Sequence, residues 1–297
     1  MVAYSLGASL RQRGHTVGML VGKAFAGEDW IEPIRPKRIP GDRLLQKVIH
    51  RTGLDQFGFH QSFPFHYGAR YFRQFDLVHL HDLPPQFNLL GLPWLSRLVP
   101  TLWTLHSMWP ITGGCSFSFD CPKWKESCGA CPQFGKWPLS WLHRDASRAS
   151  IRLKRLLYRF SPLVVICVSR WLQKCAEDPT FARHRVAHIP NSPDPVFQPE
   201  NREAARKALG VPPDAFAILF SVSGNPDDTR KGTDLIVQAL DQLQDKRVFL
   251  LPTGITPPSG DMEGTFKRFE GLPVRHVDNR NTMKTYYNAA DVFWSPT

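Results

Sequence analysis

Seven short runs rich in apolar and β-branched residues recur along the chain: Thr16–Val21, Leu77–Leu80, Thr101–Leu105, Leu163–Val168, Val186–Ile189, Ala217–Val222 and Val248–Leu251. Most are unbroken rather than alternating, the pattern of strands covered on both faces within a parallel sheet. Amphipathic stretches separate several of them. Residues 4–13 set Leu6 and Leu10 four apart and meet Gly14 as a stop, and residues 200–209 end before Gly210. Residues 233–243 align Leu235, Ile236, Ala239, Leu240 and Leu243 along one stripe. Strand–helix alternation of this kind predicts a doubly wound α/β architecture, in which ligands bind beyond the carboxyl ends of the strands.

At 297 residues the chain has room for two cores. Pro193, Pro195 and Pro199 mark a linker at residues 191–200, and the charge balance changes there. Residues 1–198 carry 25 Lys and Arg against 13 Asp and Glu, whereas residues 199–297 carry 12 against 13. A basic first half suits an anionic membrane surface, an acidic substrate or nucleic acid, or is a solubilising surface. No apolar run approaches the roughly 18 residues that span a bilayer, and the amino terminus lacks the pattern of a secretory signal. The expected compartment is cytoplasmic, where cysteines are thiols or metal ligands more often than disulfides.

Four features could carry chemistry. Ser223–Gly232 joins a strand to a helix. Gly224 there permits a tight exit, and Arg230 and Lys231 meet the anion-favouring start of the helix, a pairing suited to a diphosphate. His106 follows the strand Thr101–Leu105 directly and is placed to meet a ligand. His79 and His81, on a strand of their own, read as structural or peripheral. Cys115, Cys121, Cys128 and Cys131 lie within 17 residues of an insertion at about 110–141. They read as a structural zinc site, as reduced thiols or as disulfides. Finally, Arg148, Arg152, Arg155 and Arg159 share one helical face, with Ile151, Leu153, Leu156, Leu157 and Phe160 largely opposite. Such a helix lies on anionic lipid or docks on its own protein.

Taken in order, several segments resemble glycosyltransferase family 4, the retaining GT-B enzymes that use nucleotide sugars. They are Arg13-Gly14-His15-Thr16-Val17, Leu105-His106-Ser107-Met108-Trp109, Thr112-Gly113-Gly114-Cys115 and Cys167-Val168-Ser169-Arg170-Trp171. Ile189-Pro190-Asn191 with Asp194 and Val196-Phe197 follows, then Arg230-Lys231-Gly232 and Asn288-Ala289-Ala290-Asp291-Val292-Phe293. The cysteine block is similar to that of a subgroup found in polysaccharide biosynthesis.

The resemblance implies two Rossmann-like domains facing a cleft: residues 1–195 on the acceptor side, and residues 196–297 as part of the nucleotide-sugar domain. It implies that Arg230 and Lys231 hold the donor's diphosphate, that His106 contacts the transferred sugar, and that Asn191 lies near the interdomain crossing. The donor would be a UDP- or GDP-sugar and the acceptor a saccharide or polyprenyl-linked glycan of exopolysaccharide, O-antigen or cell-wall synthesis. No cofactor is required for catalysis, so zinc at the cysteines would be structural. The enzyme would work in the cytoplasm, peripherally on the inner face of the membrane. On the family pattern, a first strand with its glycine-rich loop precedes Met1, and a Glu-x7-Glu motif follows Thr297. The chain is therefore expected to lack both, with activity impaired. Two other readings are an inactive truncated remnant and a zinc-stabilised nucleic-acid-binding protein. The second is disfavoured because the basic residues accompany an α/β pattern, and no nucleic acid is expected as a partner.

Overall fold

A computed structural model describes residues 2–22, 28–34, 42–54, 57, 63–83, 87–136, 139, 143–177, 179–222, 232–243, 247–254 and 261–295. The chain divides into two compact units, Met1–Ser192 and Pro193–Thr297.

The first unit opens with α1 (Val2–Gln12), closed by Gly14 at φ +89°. Strands β1 (Met19–Val21) and β2 (Ile31–Pro33) form a parallel pair of their own. Helices α2 (Asp42–Thr52) and α3 (Gly68–Phe72) follow. The main sheet is built from β3 (Val78–His81), β4 (Thr101–Leu105), β5 (Val164–Cys167) and β6 (Arg185–His188), parallel and in chain order. Between these strands run α4 (Leu92–Leu98), α5 (Ser147–Arg159) and α6 (Arg170–Glu177). Leu80, Trp103, Leu105, Val165 and Cys167 from the strands share one core with Leu92, Leu95, Tyr158, Leu172 and Phe181. Its centre is aromatic: the Trp103 ring meets Tyr158 edge-on at 5.5 Å, and Tyr158 stacks on Phe181 at 4.8 Å.

The second unit contains α7 (Arg202–Leu209), β7 (Phe216–Val222), α8 (Thr233–Gln242) and β8 (Val248–Gly254). It continues with α9 (Asp261–Phe266), β9 (Glu270–Gly271), α10 (Arg280–Ala289) and β10 (Val292–Trp294). Its sheet is parallel in the order β10-β7-β8-β9. Every residue of β8 is buried, because both faces of the sheet are covered. Ala217, Leu219, Phe249 and Leu251 pack with Ala205 of α7 and with Tyr286 and Ala289 of α10. Ile218, Phe220, Val222, Val248 and Leu250 turn the other way, onto Ile236 and Leu240 of α8. Period-2 side-chain direction thus splits one apolar run between two helix layers, as the unbroken patterns predict.

The cap chemistry is local. The Asn201 side chain accepts the Ala204 N–H at 2.9 Å to start α7, and Gly210 ends that helix in the left-handed region. Asp291, between α10 and β10, accepts from Arg206 at 2.5 Å, from the Ala217 N–H at 2.8 Å, and from Arg202. This carboxylate ties α7, β7 and β10 together.

Candidate active site

In the first unit, β3 pairs with β4 in the register that sets His81 opposite Thr104. Both strands run the same way, so His81 at the end of β3 and His106 just beyond β4 emerge side by side at the carboxyl edge of the sheet. His81 Nδ1 lies 3.1 Å from His106 Nε2, and the two rings stack with centroids 5.4 Å apart. Two residues back on the same face, His79 Nε2 lies 2.7 Å from Thr104 Oγ1, and its ring is 4.2 Å from that of His81. Burial is the main force holding His81 neutral. With the neighbouring charges of His79 and His106 it pushes the His81 pKa down to about 3. The His79 pKa falls for the same first reason, aided by His106. Asp82 turns the chain away from β3 at φ +21°; burial raises its carboxyl pKa while His106 pulls it down.

With His81 held neutral, the 3.1 Å contact needs one proton. His106 Nδ1 is the ring nitrogen left for a ligand. The sequence alone points to His106 and reads His79 and His81 as structural or peripheral. The structure places His81 against His106, with Asp82 next in sequence.

The segment after His106 is held from below by α5. Lys154 Nζ donates to the carbonyl of Trp109 at 2.7 Å and of Thr112 at 3.1 Å, and sits 3.7 Å from the centre of a Trp109 ring. Tyr158 donates its hydroxyl to the Pro110 carbonyl at 3.0 Å. Lys154 is completely buried, and desolvation pulls its pKa down to about 7 against the opposing pull of Cys115 and Cys128.

A pH dependence of stability follows. Above about pH 7 the folded chain begins to release this proton, whereas the unfolded chain keeps it until near 10.5. The unfolded state then binds more protons, so stability rises with pH. Above about pH 9 the Cys115 thiol, pushed up to about 11 by burial, opposes the trend. Between pH 7 and 9, denaturant unfolding should show a gain on the order of 2 kcal/mol. Lys154→Met should lack the gain; an equal rise in that variant would assign it elsewhere.

The α5 surface differs from the free basic face that one reading of the sequence expects. Arg155 donates to the carbonyls of Trp124 at 2.8 Å and Lys125 at 3.2 Å, and also to that of Glu126. Together with Lys154, it makes α5 a docked helix. Arg148, Arg152 and Arg159 remain exposed.

Cys115, Cys121, Cys128 and Cys131 line one small cavity of about 20 Å³. The Gly113 N–H donates to the Cys128 sulfur, and the Gln133 and Phe134 N–H groups donate to that of Cys131. Burial nevertheless raises the pKa values of Cys128 and Cys131. Gly113 is required here, because a Cβ would stand 2.5 Å from the Ser147 carbonyl oxygen. Among the described residues, no group of three or more His, Cys, Asp or Glu side chains is arranged to hold a metal ion. The four cysteines share this cavity, and the sulfurs of Cys128 and Cys131 accept hydrogen bonds there.

In the second unit, Gly224, Arg230 and Lys231 lie outside the described residues. The segment that carries them connects the carboxyl end of β7 to the start of α8 at Thr233. Asn191 is exposed, one residue before the first unit ends. Among the described residues, no helix is long and apolar enough to cross a membrane.

Parallel sheets sandwiched by helices, with a histidine pair at the carboxyl edge of one of them, define an α/β protein of the type that binds ligands at its strand ends. The model of glycosyltransferase family 4 matches residues 1–196, and the chain belongs to that family. A sucrose-phosphate synthase from Thermosynechococcus elongatus superposes with a TM-score of 0.58 at 18% identity, covering 98% of this chain and 68% of its own. At that identity the likeness concerns the fold, which is of the GT-B type. WcaC of Escherichia coli (strain K12), whose name places it in colanic acid biosynthesis as a glycosyl transferase, is 36% identical over 61 residues. That match spans 20% of this chain and 15% of WcaC. These matches do not favour the nucleic-acid-binding or remnant readings.

Proposed function

We propose that this chain acts in a retaining glycosyl transfer, moving a sugar from a nucleoside diphosphate sugar to a saccharide or lipid-linked acceptor in surface polysaccharide synthesis. The observation that carries the proposal is the His81–His106 pair, set at the strand ends of a family 4 chain. His106 presents Nδ1 to a hydroxyl of the transferred sugar, while His81 fixes the ring through Nε2. Arg230 and Lys231 would hold the diphosphate and stabilise the charge that develops as it leaves. Gly224 would give the backbone room to approach it, and Asn191 would lie near the crossing between the domains. The acceptor would come to the basic first unit, from the inner face of an anionic membrane. The retaining outcome rests on the family resemblance, as does catalysis without a metal.

Calorimetric titration with UDP, GDP and their common sugars tests the donor half of this reading. One nucleotide series should bind, and Arg230→Ala/Lys231→Ala should abolish its binding. A folded sample that binds none of them, or a double variant that binds as well as the parent, would overturn the donor assignment.

A further inference from the structure

The amino-terminal edge of the first unit's sheet, opposite the edge that carries His81 and His106, holds an open cavity of about 670 Å³. Arg97, Arg159, Arg183 and Arg185 all line it, together with His184 and Phe160, and among the described residues no carboxylate does. Asp76 is adjacent in sequence to the lining residue Leu77 but is not part of the wall. Four guanidinium groups around one concavity repel one another unless an anion sits among them.

Two of the arginines have a partial structural reason to be there. Arg97 and Arg159 fall in the last turns of α4 and α5, where a cation meets the negative end of the helix dipole, and Arg97 also donates to the Pro93 carbonyl at 3.0 Å. Arg183 and Arg185 have none. Both are exposed, and neither makes a hydrogen bond or ion pair through its side chain with another described residue. Between them, His184 Nε2 lies 3.1 Å from the Tyr158 carbonyl oxygen and 3.0 Å from that of Ser161, so Nε2 carries the proton. Its Nδ1 is buried with no hydrogen-bond partner. An anion in the cavity would neutralise the arginines. The rim adds apolar surface, with Phe160 50% and Leu77 46% exposed.

We infer that this cavity is a second ligand site, separate from the sugar-transfer edge, which binds a phosphate group through Arg159, Arg183 and Arg185. Arginine forks match phosphate oxygens in pairs, and the apolar rim accommodates whatever carries the phosphate. The group could come from a soluble phosphate compound or from the headgroup of an anionic phospholipid, and the two sources are separable by experiment.

The test uses the full chain carrying Arg230→Ala/Lys231→Ala, so that the loop assigned to the nucleotide contributes nothing. Inorganic phosphate and pyrophosphate are titrated by calorimetry, and vesicles of phosphatidylglycerol or of phosphatidylcholine alone are tested by co-sedimentation. Adding Arg183→Gln/Arg185→Gln should weaken binding at least tenfold. Adding Arg70→Gln/Arg73→Gln, which removes the same charge from exposed positions on and just after α3, outside the cavity, should change it less than twofold. Loss confined to the soluble anions identifies a free phosphate ligand, and loss of phosphatidylglycerol binding identifies the headgroup. Failure of every probe to bind, or equal loss in both pairs of substitutions, would overturn the site, whatever the outcome for nucleotide binding.

Discussion

Asp291→Ala should destabilise the second unit by about 3–5 kcal/mol, the cost of leaving a buried charge without its partner. Arg206 is 5% exposed and reaches Asp291 at 2.5 Å. Its Nε and Nη1 groups are already committed to the carbonyls of Ala289, Pro212 and Pro213. No other carboxylate pairs with it among the described residues, and water has little access to its side chain. The same substitution removes the acceptor for the Ala217 N–H at the start of β7. The damage should therefore concentrate where β7 and β10 pair. Hydrogen exchange read by mass spectrometry should show residues 216–222 and 292–294 losing protection, while β4 and β5 of the first unit keep theirs. Arg206→Met combined with Asp291→Leu should recover much of the loss, since replacing both charges removes the uncompensated one. Unchanged protection in β7 after Asp291→Ala would show that the carboxylate is not the tie described.

Much of this architecture was legible before any coordinates. All seven apolar runs become strands, because a strand buried on both faces needs an unbroken apolar sequence and little else. The first shrank, with β1 beginning at Met19 rather than Thr16. Strands β2 and β9, three and two residues long, carry too few positions for a pattern to show. The helix α10 was also missed, since Tyr286 and Ala289 are its only fully buried residues and the rest of it is mostly polar.

The site was legible only in part. His106 could be found from its place after a strand. The partnership with His81 depends on β3 lying beside β4, which is a property of strand order rather than of either sequence. The role of Lys154 had a signal that the arginine face obscured: Ile151, Lys154 and Tyr158 fall on one helical stripe, and all three are buried. Asp291 was recognised as part of a family pattern, but its pairing across 85 residues of sequence with Arg206 could not be read from spacing.

The histidine pair carries the functional claim. His106 is half-buried, anchored at Nε2 by a histidine kept neutral, and placed where parallel sheets present their ligands. A preorganised donor aimed at developing charge in such a site is worth on the order of 10²–10³ in rate. His106→Ala should cost that much while leaving nucleotide affinity unchanged, because the diphosphate contacts assigned above come from another segment. The decisive measurement is the rate at which the purified chain releases nucleoside diphosphate from the nucleotide sugar it binds, in the presence of saccharide acceptors, compared with that of His106→Ala. Turnover is expected in the parent, with a loss of at least 100-fold in the variant at unchanged affinity for the free nucleoside diphosphate. Equal rates in the two proteins, or no turnover in a parent that binds the donor, would contradict it.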